Sequence, residues 1–390
     1  MAPSEIKPDL LLLPPLPANS PYLTIKRVYT PLPPPPSSLP AELDIALPLP
    51  HLTLDSNRAP LFTRTQRALA NIYKLIAAVA AAHSIPLAGA NALDVRVLIL
   101  AYPFTFPAWP YKQIGPTYSL EALVLGRWGN LIAVPSPRGA ALRDEFLKLR
   151  DDWFKWEGAP KIKVISADTD EGPEPNEPGP EPADEPVEAG DDPVRTVVVG
   201  GTFDHLHLGH KLLLTMTAFA LDSWGFDELD LSGNNEKARM VIGLTAAAQL
   251  ASKKYAEYLE PWDQRYRAVH GFLEAILRVA YVGPTRDQGR ISETWDEGPN
   301  GHVVKVDIPR QCMRIEYVEI WDPFGPTITE PEMDALVLSA ETRAGGKMVN
   351  DKRVEKGWKP LKVLEVDVLD AEEGEGGGAF EMRLGLEDHG

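Results

Sequence analysis

The stretch Thr196–His210, TVVVGGTFDHLHLGH, decides the fold. Its opening apolar run reads as a strand buried on both faces. The run ends at Gly200 and Gly201, where the lack of a Cβ lets the backbone turn and approach a ligand. A helix is predicted from about Gly209-His210 onward, through HKLLLTMTAFALDSW. In an open parallel sheet, ligands sit beyond the carboxyl ends of the strands. There the unpaired N–H groups and dipole of a helix N-terminus favour a phosphate. Three of the eight histidines, His205, His207 and His210, fall at this junction. His207 and His210 share one face of the first turn, and Gly209 between them leaves room for a base or ribose. Two imidazoles and several N–H donors thus converge on a small volume, an arrangement suited to charge developing on phosphorus. A zinc-binding pair, for which no third ligand lies nearby, and an ordinary strand-to-helix turn are the alternatives.

Downstream, strands and helices alternate: ARMVIGLTA (238–246), DQRYRAVHGFLEAILRVA (263–280), RIEYVEI (314–320), ALVLS (335–339), a polar helix over 341–356, and LKVLEVDVL (361–369). This predicts an α/β, Rossmann-like parallel-sheet domain over 194–370. Residues 281–312 read as a surface insertion and 371–390 as an irregular tail. Upstream, residues 166–193, SADTDEGPEPNEPGPEPADEPVEAGDDP, carry no Lys or Arg and almost nothing to bury, so a disordered acidic linker is expected.

Residues 41–165 read as a small N-terminal α/β domain of unassigned role. A helix is predicted at 61–84, a buried strand at 94–102 and an amphipathic helix at 141–156. Residues 119–134 read as two strands around Gly129-Asn130. His51 and His83 stand isolated in this region. Residues 1–40, with PPLP and TPLPPPPSSLP, read as a proline-rich leader of irregular or polyproline form. It serves either as a spacer or as a docking segment for a protein partner.

The formal net charge of −17 argues against a nucleic-acid binder, and much of it lies in the linker. The single cysteine, Cys312, excludes a disulfide framework and reads as a small buried strand residue. No run approaches the roughly 20 apolar residues of a membrane span, so a cytoplasmic protein without a membrane partner is expected.

The GGTFDHLHLGH run resembles the GTFD-x-x-H-x-G-H signature of the nucleotidyltransferase superfamily that carries an HIGH-like motif. Three further segments extend the resemblance over roughly 195–370. They are Leu259-Glu260-Pro261-Trp262-Asp263-Gln264-Arg265, Trp321-Asp322-Pro323-Phe324-Gly325-Pro326, and Val337–Gly346 (VLSAETRAGG) followed by Asn350. Together they resemble the phosphopantetheine adenylyltransferases of eukaryotic type, including the adenylyltransferase domain of coenzyme A synthase. The resemblance implies transfer of the adenylyl group of ATP to 4′-phosphopantetheine, with Mg²⁺ carried on the ATP and no metal site of the protein's own. It makes His207 and His210 the catalytic pair, and Gly201, Thr202, Phe203, Asp204, Gly209 and both histidines the ATP cradle. Thr202, Phe203, Lys253 and Arg343 would meet the phosphopantetheine phosphate. Asp204 would alternatively only cap the turn, Lys253 and Arg343 would be surface charges, and Arg265 would serve a helix face.

One departure stands out. The family's closing I-S-S-T-x-I-R-like segment has no counterpart between DVLDAEEGEG and GGAFEMRLGLEDHG, and the similar letters Ile291–Thr294 lie in the insertion. A truncated gene reading, another isoform, a cytidylyltransferase or other adenylyltransferase, and an impaired nucleotide-binding protein therefore stay open. No G-x-x-x-x-G-K-[ST] loop occurs, so no accompanying kinase is expected.

Overall fold

The computed structural model describes residues 7–15, 42–54, 56–89, 92–101, 116–155, 161–166, 192–222, 237–250, 256–278, 292–298, 301–308 and 313–369. The acidic linker (apart from Ser166, Asp192 and Pro193), Lys253, Cys312 and the tail from 371 lie outside these residues.

Two sheets organise the described residues, the first wholly parallel and the second mixed. The first contains β1 (Asp9–Leu12), β2 (Glu42–Leu49), β3 (Asp94–Ala101), β4 (Thr117–Tyr118), β5 (Asn130–Ala133) and β6 (Lys163–Ser166) in the order β4-β3-β2-β1-β5-β6, every pairing parallel. Its helices are α1 (Arg58–Ala82), α2 (Leu120–Val124) and α3 (Pro137–Phe154). Ser136 starts α3 by accepting a 3.0 Å hydrogen bond from the Gly139 amide, with Pro137 preset in the first turn.

This half corrects two expectations. Residues 9–12 are not part of an irregular leader: Asp9-Leu10-Leu11-Leu12 is an interior strand between β2 and β5. A short apolar run between prolines is what a fully buried parallel strand looks like, and the surrounding prolines masked it. Nor does 119–134 hold two strands. Its first half is the helix α2, because Ser119 caps it by accepting from the Ala122 amide at 3.3 Å.

The second sheet is built from β7 (Thr196–Gly201), β8 (Ala238–Thr245), β9 (Ser292–Gly298), β10 (Gly301–Ile308), β11 (Met313–Ile320), β12 (Ala335–Ser339) and β13 (Lys362–Val366). Its order is β13-β12-β7-β8-β11-β10-β9. The five strands from β13 to β11 are parallel, as the alternation predicts. The connecting helices are α4 (Leu208–Phe219), the one-turn α5 (Ala247–Leu250), α6 (Trp262–Arg278) and α7 (Arg343–Glu355). The fold is α/β and Rossmann-like. The expected surface insertion is in part an antiparallel hairpin, β9–β10, that extends the sheet beyond β11. Ser292, Glu293 and Thr294 therefore sit in an edge strand and do not open a phosphate-binding helix.

Strand order fixes where a ligand goes. From β7 the chain winds outward through β8 and β11, then returns to lay β12 on the other side of β7. The carboxyl ends of β7 and β12 thus flank a topological switch point, the crevice where open α/β sheets hold ligands. One continuous apolar core joins the halves, from Leu10–Leu13 and Phe62 through Phe219 and Ile276 to Val366. Helix α1 packs on α4, and α6 reaches β3.

Candidate active site

The loop after β7 is bent tightly. Phe203 and His205 hold φ of 50° and 44°, the left-handed region that non-glycine residues rarely occupy. Fully buried Phe203 anchors this bend, its ring 5.4 Å from that of His210. His207 forms the N-cap of α4, its Nδ1 accepting from the His210 amide at 3.4 Å. That bond places the His207 proton on Nε2, which then points a donor away from the helix. The two imidazoles stack with centroids 3.8 Å apart and planes 23° from parallel. The shared face expected from the sequence is therefore real. A Cβ on Gly209 would meet the His207 ring at 3.1 Å, so a glycine there leaves room for the stack.

Both imidazoles are poorer bases than usual. Burial pushes the His210 pKa down to about 3, helped by neighbouring His207. His207 is lowered by partial burial, against the pull of the Glu341 carboxylate. At neutral pH the pair is uncharged, so each imidazole carries one N–H donor. Because the folded His210 value lies below the ordinary 6.5, the unfolded chain takes up this proton first as pH falls. The stability His210 contributes is thus complete above about pH 6.5 and is lost as the pH drops toward 3. A His210→Asn variant should show a shallower loss of urea midpoint between pH 6.5 and 4 than the parent, a comparison that needs no substrate.

Beyond the histidines, Asp204 and Glu260 clasp two loops together. Asp204 Oδ1 accepts from the Glu260 amide at 2.8 Å, and Glu260 Oε2 accepts from the His205 amide at 2.9 Å. Asp204 is therefore a cross-loop tie, where the sequence suggested an ATP contact or a simple cap. Arg265 is fully buried and donates to three carbonyls: Glu260 at 3.0 Å, Thr202 at 2.7 Å and Thr245 at 2.8 Å. It does not serve a helix face. It sets the positions of the loops that follow β7 and β8, and its burial was invisible in PWDQR.

On the β12 side, Arg343 opens α7 and forms a two-pronged pair with Glu365 of β13, one prong at 2.6 Å. This places Arg343 on the carboxyl edge with an exposed guanidinium, at the margin of the crevice. The Asp322-Pro323-Phe324-Gly325 segment is a turn, as its letters suggest: Asp322 Oδ1 accepts from the amides of Phe324 (2.7 Å) and Gly325 (2.8 Å). Gly325 is obligatory there, with φ of +51° and Ile320 Cγ2 only 2.7 Å from where a Cβ would stand. Asn350 ties α7 to the start of β13 through both its amide atoms and the Leu361 backbone. Among the described residues, no group of three or more His, Cys, Asp or Glu side chains could hold a metal ion, and no helix is long and apolar enough to cross a membrane.

A loop strained at Phe203 and His205, a helix N-terminus and a stacked histidine pair thus meet at the switch point. A Methanopyrus kandleri phosphopantetheine adenylyltransferase is 30% identical over 179 residues, spanning 46% of this chain and 82% of that protein. The chain belongs to the phosphopantetheine adenylyltransferase family. The Saccharomyces cerevisiae phosphopantetheine adenylyltransferase is 33% identical over 178 residues, covering 46% of this chain and 43% of its own. An uncharacterized Schizosaccharomyces pombe protein is 34% identical over 171 residues, 44% of this chain and 39% of its own. The matched part thus spans less than half of either fungal relative. Residues 1–163 match a separate family described as a domain of unknown function, DUF8446.

Proposed function

We propose that this chain transfers the adenylyl group of ATP to 4′-phosphopantetheine, giving dephospho-coenzyme A and diphosphate in coenzyme A biosynthesis, as the eukaryotic-type members of its family would. The observation that carries the reading is the stacked His207–His210 pair, uncharged and donor-bearing, at the mouth of the β7–β12 crevice. A phosphate oxygen of phosphopantetheine attacks the α-phosphorus of ATP in line, and the bond to the bridging oxygen breaks to release diphosphate. No covalent enzyme intermediate and no net proton acceptor are required, so catalysis is positioning and charge stabilisation. His207 Nε2–H and the His210 imidazole donate to phosphate oxygens of ATP, which enters with its own Mg²⁺. Thr202 and the Phe203 backbone face the attacking phosphate, with Arg343 available once it releases Glu365. Lys253 is assigned to the same phosphate from its motif alone.

Purified full-length chain supplied with ATP, Mg²⁺ and 4′-phosphopantetheine should release diphosphate and accumulate dephospho-coenzyme A. CTP in place of ATP should support little turnover. Preferential use of CTP would point to a cytidylyltransferase. Tight ATP binding by folded protein without diphosphate release would sink the catalytic reading.

A further inference from the structure

Helix α4 carries the histidine pair, and it is gripped at both ends by the N-terminal half. Lys211, directly after His210, is only 6% exposed although it bears a charge. Its Nζ leaves the catalytic half altogether, reaching Asp94 Oδ1 at 2.5 Å and the Val95 carbonyl at 3.0 Å at the start of β3. Asp94 is itself steadied by Arg96 (3.5 Å), which also holds Asp44 (2.5 Å) and Glu42 (3.0 Å). The Lys211 ammonium holds the Asp94 carboxyl below the ordinary carboxylate range, against its burial. Beyond the far end of the helix, Asp222 bridges the halves: one oxygen accepts from the Arg58 amide of α1 at 2.8 Å, the other from the Val194 amide at 2.7 Å. Between these grips the Phe62 and Phe219 rings pack 6.5 Å apart. Tyr118 of β4 donates to the Ile276 carbonyl of α6, the helix whose Arg265 sets the β7 loop.

Burying an ammonium is costly unless it is paired, and the pair here spans two halves that match different families. An exposed residue would serve adenylyl transfer as well at this position if only the catalytic half mattered. We propose that the N-terminal domain acts in the reaction as a positioning element, with Asp94 and Lys211 its positioning residues, fixing the first turn of α4 and hence the His207–His210 stack. The inference rests on the adenylyl-transfer reading for its rate consequences and on geometry alone for its effect on the histidines.

The test uses full-length protein carrying Lys211→Met and, separately, Asp94→Asn, which keeps the side-chain shape at a half-exposed position and preserves folding. Each variant should lose kcat by about 10- to 100-fold with KM for ATP changed far less, as expected when reacting groups are displaced by about 1 Å. Lys211→Arg should recover much of the rate. NMR titration should show the His210 ring moving from its low value toward the ordinary 6.5 as the turn loosens. If melting temperature falls while kcat and the histidine titration stay as in the parent, the pair merely joins the domains and the proposal is wrong. Should the parent show no adenylyl transfer, the titration still decides whether Asp94 and Lys211 set the histidine geometry.

Discussion

Replacing His210 by alanine is expected to cut diphosphate release by about 100- to 1000-fold, the range seen when one preorganised donor to a developing charge is removed. The reason lies in what surrounds the ring. His210 is wedged between the Phe203 and His207 rings, which hold it in place. Its low basicity keeps it neutral at neutral pH, the form the proposed donor role needs. Alanine removes the donor and also the surface against which His207 stacks, so both members of the pair lose function together. Single-turnover kinetics with the variant, beside far-ultraviolet circular dichroism to verify the fold, would measure it. A loss below about tenfold would remove His210 from the reacting centre.

The second large effect is on stability. Arg265→Met should destabilise the chain by about 3 kcal/mol or more, because each hydrogen bond from a charged donor contributes about 1.5–3 kcal/mol. Three carbonyls depend on this one guanidinium, and they belong to the loops after β7 and β8 and to Glu260. Lysine should rescue poorly, since one ammonium cannot reproduce a planar fork aimed at three acceptors. Urea denaturation of parent, Met and Lys variants would give the ranking. Equal midpoints for parent and Arg265→Met would mean that water replaces the guanidinium without loss.

Much of this was legible in the letters, for physical reasons that differ by region. TVVVGG, ARMVIGLTA, RIEYVEI and ALVLS are apolar runs ending in turn formers, and each became a parallel strand close to its expected bounds. His207 and His210 were readable as neighbours because helical spacing alone puts them on one face. The interior strand Asp9–Leu12 was not, since its partners β2 and β5 are distant in sequence and prolines flank it. The hairpin β9–β10 was missed because its polar letters alternate weakly on an open edge. The pairing of Lys211 with Asp94 lies beyond any local reading. Nothing in GHKLLL signals a carboxylate 117 positions earlier in the chain. Likewise, PWDQR reveals an arginine but not the three carbonyls that converge on it.

The hairpin that widens the second sheet also ends it. At β9 the ladder stops with a row of backbone donors and acceptors facing outward, an invitation to self-association with another extended chain. The strand that occupies this position is Ser292-Glu293-Thr294-Trp295-Asp296-Glu297-Gly298. Three of its seven residues are carboxylates. A second copy laid edge to edge would bring like charges into register, where directly opposed pairs repel. A polar, acidic border of this kind disfavours edge-to-edge pairing of two copies.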